Sequence, residues 1–177
     1  MLTVWLIIPQ MAARIRNTLL ASLLLVLMTA ACSNQAQQYF DTGLEYALAG
    51  EHQKALGFYD EAIRLDPQTS KPSRRVWFTR GVSYNQLGQY EKAIQDFNEA
   101  IRLDSQDTTA YLMRGVAYRY LDQHEKAIAD LTEAIRLDPQ FAFAYGSRSI
   151  AYEKAGQQYE ADADNKRACE LDRMWCK

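Results

Sequence analysis

Charge of one sign is scarce along this chain. Twenty Lys and Arg stand against 22 Asp and Glu, the formal net charge is −2, and no stretch of five or six like charges occurs. Without a basic stripe there is nothing to neutralise a phosphate backbone, so a nucleic-acid partner is not expected, and no acidic tail is present either. Histidine is equally sparse, with only His52 and His124. Of the three cysteines, Cys169 and Cys176 lie near each other but have no neighbouring His, which falls short of the usual ligand count of a metal site. Nucleophile–His–acid arrangements, phosphate-cradling glycine loops and paired-histidine zinc motifs are all missing. An enzyme is therefore not expected, and neither is a cofactor or a metal.

A long hydrophobic run is missing too. Leu19 to Met28 is uncharged and apolar, but a bilayer needs roughly twenty such residues, about twice that run. Its surroundings explain it: Arg14 and Arg16 precede it, and the small residues Thr29, Ala30 and Ala31 lead to Cys32. That is the three-part layout of an export signal over residues 1–31. The apolar Leu2 to Ile8 lies upstream of the arginines, where a signal is normally polar, so Met11 reads as the start, with Met1 as the alternative. A cysteine directly after the small residues resembles a bacterial lipoprotein signal, although Thr29 stands where such motifs usually have Leu. The resemblance implies a lipid on Cys32, a short tether over 32–35 and attachment to a membrane. Ser33 resembles the pattern that permits outer-membrane sorting, so the expected location is the cell envelope, facing the periplasm. Secretory cleavage near Ala31 with an incidental Cys32 is the competing reading.

The 177 residues together are 48% apolar and aromatic and 24% charged, the composition of a globular protein with a real core. Eleven Tyr against six Phe suit surfaces half packed and half wet. Internal similarity then decides the fold. Tyr90 to Gln106 realigns with His124 to Gln140 at an offset of 34 residues, and with His52 to Gln68 at an offset of 38. A weaker fourth copy runs through Tyr159, Glu160, Ala161, Ala168 and Leu171. Upstream of each lies a second amphipathic segment, beginning at Tyr39, Trp77, Tyr111 and Tyr145. Each repeat is thus two short helices.

The residues of this repeat resemble the tetratricopeptide pattern: an aromatic, Gly, Tyr, then Ala, an aromatic, Ala and a closing Pro. Repeat one, 36–69, carries Tyr39, Gly43, Tyr46, Ala55, Tyr59, Ala62 and Pro67. Repeat two, 74–107, carries Trp77, Gly81, Tyr84, Ala93, Phe97 and Ala100, with Ser105 for Pro. Repeat three, 108–141, carries Tyr111, Gly115, Tyr118, Ala127, Ala134 and Pro139, with Leu131 for the aromatic. Repeat four, 142–175, keeps Tyr145, Tyr152, Ala161 and Ala168 but has Ser149 for Gly. The resemblance implies an all-α fold, a right-handed α-solenoid of four hairpins filling 36–177, with a concave groove as its working surface.

Local chemistry agrees. Gly43, Gly81 and Gly115 allow close helix approach, and Ala49-Gly50, Leu87-Gly88, Leu121-Asp122 and Ala155-Gly156 mark the hairpin turns. The Asp-Pro pairs at 66/67 and 138/139 are read as helix stops. Ser70 to Ser73, extra between repeats one and two, read as a longer loop on the convex edge, with a hinge as the alternative. In repeat four Asp162 stands where Leu56, Ile94 and Ile128 stand, and Asn165 where Tyr59, Phe97 and Leu131 stand. A polar outer face is how a solenoid ends, so repeat four is expected to be its own cap.

Arg80, Arg114 and Arg148 recur in register, as do Asp96, Asp130 and Asp164, and predict an Arg-to-Asp surface pair inside each repeat, with an anionic ligand for the arginines as the alternative. His52 and His124 share one repeat position with Tyr90 and read as packing or turn residues. Cys169 and Cys176 would be roughly 10 Å apart on an unbroken helix, beyond disulfide reach. A helix ending near Asp172 would let them pair, and free thiols are the alternative. The groove is expected from Phe40 and Leu44, Phe78, Val82 and Asn85, Leu112, Met113, Val116 and Arg119, then Phe143 and Ile150, with Arg75, Tyr120 and Lys154 on its rim. For each residue taken singly, packing between helices is the competing reading. Some tetratricopeptide domains hold a ligand's terminal carboxylate with Lys, Asn and Arg at these places. Those residues are missing here, which leaves a trough suited to an apolar peptide.

The function expected is a binding scaffold that recruits a protein or peptide partner, resembling small tetratricopeptide lipoproteins of pilus assembly or cell-wall hydrolase regulation. Two rivals remain: a self-associating module forming a homodimer, and an immunity or inhibitor protein that blocks one enzyme.

Overall fold

The structure is a computed structural model, and it describes residues 34–65 and 71–176. The expected export signal and Cys32 lie outside those residues, as do Pro67 and Ser70. Among the described residues there are helices and no strands. Helix α1 covers 34–48, so Asn34 and Gln35, assigned above to the tether, are already helical. Then follow α2 (His52–Leu65), α3 (Lys71–Gln86), α4 (Tyr90–Leu103), α5 (Thr108–Tyr120), α6 (His124–Leu137), α7 (Ala142–Lys154) and α8 (Gln158–Leu171). A 3₁₀ turn, Arg173–Trp175, closes the described chain.

The helices pair in chain order. The strongest packing is α3 on α4, α5 on α6 and α7 on α8; between hairpins, α2 meets α3, α4 meets α5 and α6 meets α7. First helices of neighbouring hairpins also touch, α3 to α5 and α5 to α7, which builds one continuous wall. This is the helical-repeat solenoid the period predicts.

Inside each hairpin a residue without bulk faces a large one. A Cβ on Gly43 would stand 2.7 Å from Tyr59 Cε1, on Gly81 2.8 Å from Phe97 Cε1, and on Gly115 2.9 Å from Leu131 Cγ. Tyr59, Phe97 and Leu131 are fully buried, as are Ala55, Ala93, Ala127 and Ala161 beside them. Repeat four solves the same contact differently. Ser149 is completely buried, and its hydroxyl donates to Asn165 Oδ1 at 2.7 Å. Asn165 therefore does not belong to a wet outer face as expected. It turns inward, because a polar pair replaces the glycine-and-ring pair and satisfies itself by hydrogen bonding. Asp162 is exposed.

Two further expectations are corrected. Lys71 to Ser73 are not a loop but the first turn of α3, where a proline at 72 costs no helical hydrogen bond because first-turn amides have no partner in the helix. Proline is also not what stops the second helices. Helix α4 ends at Leu103 just as α6 ends at Leu137, though Ser105 replaces Pro139. The shared cause is the aspartate after each helix: Asp104, Asp138 and Asp172 are extended, and their Oδ1 atoms accept from Gln106 N, Gln140 N and Met174 N at 3.0, 2.9 and 2.9 Å. An Asx turn competes with the helix and wins.

The arginines do more than form surface pairs. Arg80 Nε and Nη2 grip Asp96 at 2.8 and 2.7 Å while Nη1 reaches back to Asp60 in repeat one at 2.6 Å. Arg114 holds Asp130 by two 2.7 Å bonds and reaches Asn98; Arg148 holds Asp164 and reaches Thr132 Oγ1. Trp77, Tyr111 and Tyr145 lie beside the three guanidiniums, with centroids at 4.8, 5.5 and 5.7 Å. Asp96, Asp130 and Asp164 are buried, so each clamp joins its own hairpin and staples it to the one before. Burial opposes the charge on Arg80, yet the bonds and charge of Asp96, and then of Asp60, outweigh it and hold the guanidinium above its ordinary range. Arg80→Met is expected to cost about 3–5 kcal/mol, because Asp96 then stays buried without a counter-charge. Arg136→Met, which breaks an exposed pair with Glu133, should leave the urea midpoint in place. Equal shifts for the two variants would show the clamp to be a surface pair after all.

Candidate functional groove

The first helices of the hairpins place one register row on the inner wall: Phe40, Phe78, Leu112 and Gly146, each followed four residues later by Leu44, Val82, Val116 and Ile150. Across repeats one to three this wall opens into a pocket of about 290 Å³. Phe40, Leu44 and Phe78 form its apolar side; Thr79 and Thr109 supply hydroxyls, and Arg74, Arg75 and Asp107 its charges.

The pocket's shape follows from local bonding. Asp107 caps α5, its Oδ1 accepting from Thr109 N and Ala110 N at 3.1 Å each, while its Oδ2 takes Arg74 Nη1. Arg74 Nε also approaches Asp104 at 3.7 Å. Arg74 is thereby committed to the wall. Arg75 is exposed, its guanidinium 4.9 Å from the centroid of Phe40, which leaves a cation over an aromatic floor at the pocket mouth.

The expected groove residues divide. Phe40 is 2% exposed and packs on Tyr59 with centroids 6.1 Å apart, and Leu112 is 7% exposed inside the core, so both are mainly packing residues. Leu44, Phe78, Val82, Met113, Val116 and Ile150 are half-buried, with a face left for contact. Phe143 is exposed at 46%. Asn85 and Arg119 lie in register along the wall; Asn85 Oδ1 and Arg119 Nε are buried with no hydrogen-bond partner among the described residues. Arg119 stacks on Tyr120 at 4.7 Å, and Tyr120 on Tyr90 at 4.8 Å and 4°. His52 Nδ1 lies 3.4 Å from Ser83 Oγ, whereas the corresponding neighbour of His124 is Ala151 and its Nδ1 finds no partner. Among the described residues no group of three or more His, Cys, Asp or Glu could hold a metal ion.

The sequence reading missed Arg74, Asp107 and Thr109 in the pocket, and it missed Gly146 and Trp175. Asp107 had a signal, since Asp before Thr-Thr is a helix N-cap. At repeat four the row is filled by Trp175. Cys169 and Cys176 are joined, and the loop they close brings the indole onto Gly146 and edge-on to Phe143, with ring centroids 5.4 Å apart at 88°. The chain thus has a cover over repeat four beyond the polar face of α8.

Fold and wall together define a helical-repeat protein with an open pocket on its first-helix wall. Residues 75–107 and 109–141 match the family model described as "Tetratricopeptide repeat". The crystal structure of MamA is similar, with a TM-score of 0.73 at 26% identity, over 80% of this chain and 80% of that one. The tetratricopeptide domain of Arabidopsis OM64 gives 0.64 at 25% identity, over 69% and 98%. The first such domain of Spaghetti (RPAP3), bound to the HSP90 peptide SRMEEVD, gives 0.65 at 24%, over 70% and 95%. No curated protein matches the chain. Phe40→Ala is expected to lower stability by about 3–5 kcal/mol, read as a fall in the urea midpoint. A change below about 0.5 kcal/mol would return Phe40 to the open surface.

Proposed function

We propose that this chain is a non-catalytic adaptor that holds an apolar segment of a partner protein in the concave groove, from a lipid-anchored position in the bacterial cell envelope. The observation that carries the reading is the pocket across repeats one to three, apolar on Phe40, Leu44 and Phe78 and open to solvent. Asn85 Oδ1 and Arg119 Nε add support. One buried acceptor and one buried donor, a repeat apart, suit the amide and carbonyl of an extended backbone, and a buried polar atom left unpaired carries a penalty. A solved relative in fold is bound to a peptide, which supports a peptide or protein segment as the kind of partner. Phe40, Leu44 and Phe78 on the pocket's apolar side favour apolar side chains, while Arg74 is engaged by Asp107 and Arg75 stays exposed at the mouth.

The envelope setting rests on Arg14, Arg16, the Leu19 to Met28 run and Cys32. A homodimer is a second reading, favoured by one feature. In repeat one Thr42 and Phe58 stand where other repeats have the Arg–Asp clamp, and Phe58 stacks on Tyr46 with centroids 5.2 Å apart at 11°, leaving an aromatic face.

Phe78→Asp and Met113→Asp should each abolish capture of an envelope partner while the helical circular dichroism stays unchanged. Retained capture would move the binding face elsewhere, and light scattering that reports a dimer in both variants would favour the first hairpin's face. Metabolic labelling with a radioactive fatty acid should mark the wild type and leave Cys32→Ser unlabelled; label in both would refute lipid attachment at Cys32.

A further inference from the structure

The pocket that is open across repeats one to three is occupied at repeat four by the chain itself. Phe40, Phe78, Leu112 and Gly146 hold one register position, yet only the last is glycine. Its missing side chain makes a hollow, and Trp175 fills it: a Cβ on Gly146 would lie 2.2 Å from Trp175 Cζ3 and 2.4 Å from Cε3. Phe143, in register with Arg75 and Thr109 of the open pocket, supplies the edge-to-face wall. The seat is shaped for an aromatic ring but fits this one imperfectly, because indole Nε1 is buried without a hydrogen-bond partner.

What keeps the ring there is its packing on Gly146 and Phe143, the hydrogen-bonded turn at Asp172 and one covalent tie. Trp175 belongs to the short turn Arg173–Trp175, whose Arg173 and Met174 are exposed, and whose anchor to α8 besides the backbone turn at Asp172 is the Cys169–Cys176 bond. Cys176 is exposed, so a thiolate can reach that bond.

We propose that Trp175 is a removable plug: the Cys169–Cys176 disulfide holds its indole in the groove at repeat four, and opening the disulfide frees a seat for an aromatic side chain of the partner. A dithiol performs the opening by exchange. One thiolate attacks a protein sulfur, a mixed disulfide forms, and the second thiol resolves it. The dithiol ends as its own disulfide, and two electrons and two protons leave Cys169 and Cys176 as thiols. The usable groove then lengthens from three repeats to four. This rests on the groove reading above for its purpose, but not for its test, since the shielding of Trp175 is measurable with no partner present.

The test uses the full chain with Trp5→Phe and Trp77→Phe, so that Trp175 alone emits. On treatment with dithiothreitol, emission should move to longer wavelength and acrylamide quenching should rise severalfold, with helical circular dichroism unchanged. Cys169→Ser with Cys176→Ser should reproduce this without reductant, and Gly146→Leu should expel the ring with the disulfide intact. A synthetic peptide copying residues 172–177, with serine at the cysteine position, is then titrated into Trp175→Ala carrying both serine substitutions. Backbone amide shifts at Phe143 and Gly146 are expected there and not in the oxidised wild type. Trp175 equally shielded after reduction, helix loss on reduction, or a peptide that shifts no groove amide would each overturn the plug. Failure of Phe78→Asp to affect capture, with Trp175 released as described, would instead overturn the groove reading and leave the plug standing.

Discussion

Everything in this molecule hangs on the contact between the two helices of a hairpin, where a residue with little or no side chain lets a large neighbour seat itself against backbone. Gly43 under Tyr59, Gly81 under Phe97 and Gly115 under Leu131 are three versions of one contact. Each buries a large apolar side chain, worth about 1.5–3 kcal/mol, and fixes the angle at which the next hairpin must lie. A solenoid has no long-range core, so an error in one hairpin is carried to its neighbours alone. Repeat four shows that volume and polarity must change together: with Ser149 in place of glycine the ring is gone, and Asn165 arrives to bond the hydroxyl.

The arginine clamps are the second layer, and they have ends. Each reaches back to an acceptor on the preceding hairpin, namely Asp60, Asn98 or Thr132. In repeat one the arginine's place holds Thr42 and the aspartate's place holds Phe58, so nothing there reaches back. In repeat four the acceptor's place holds Lys166, a donor, so nothing there could receive a further arginine. The ladder is finite by its own residues. A second copy stacked head to tail would gain none of these bonds, so self-association would have to rely on the aromatic group of Tyr39, Tyr46 and Phe58.

Much of this was legible in the sequence because a repeat tests itself. An offset of 34 residues aligns the glycines, the alanines and the arginines, and three concordant copies carry the fold without any single propensity having to be right. What escaped the reading was whatever occurs once or depends on a partner far along the chain. Asn165 looks like surface until Ser149, sixteen residues earlier, is known to face it. The reach of Arg80 to Asp60 crosses a repeat boundary, where the 38-residue spacing hides the register. Pro67 and Pro139 drew attention from Asp104, Asp138 and Asp172, which stop their helices with or without proline. Phe40 and Leu112 illustrate the limit for the groove: period places a residue on the inner wall, but only packing decides whether its side chain is spent in the core or left to meet a ligand.

That division bears on how the groove could discriminate. Its wall is uneven along the row: Phe78 keeps an aromatic face, Phe40 and Leu112 are turned into the core, and the hollow at Gly146 is filled by Trp175. A uniform apolar trough would bind any apolar segment in several registers, whereas a row whose depth changes from repeat to repeat favours the register that matches large side chains to hollows and small ones to ridges. Arg75 over Phe40 marks one end with a cation, and the Trp175 seat marks the other with an aromatic-shaped hollow. Specificity in such a groove would come from the spacing between the two ends, which is set by how the hairpins stack.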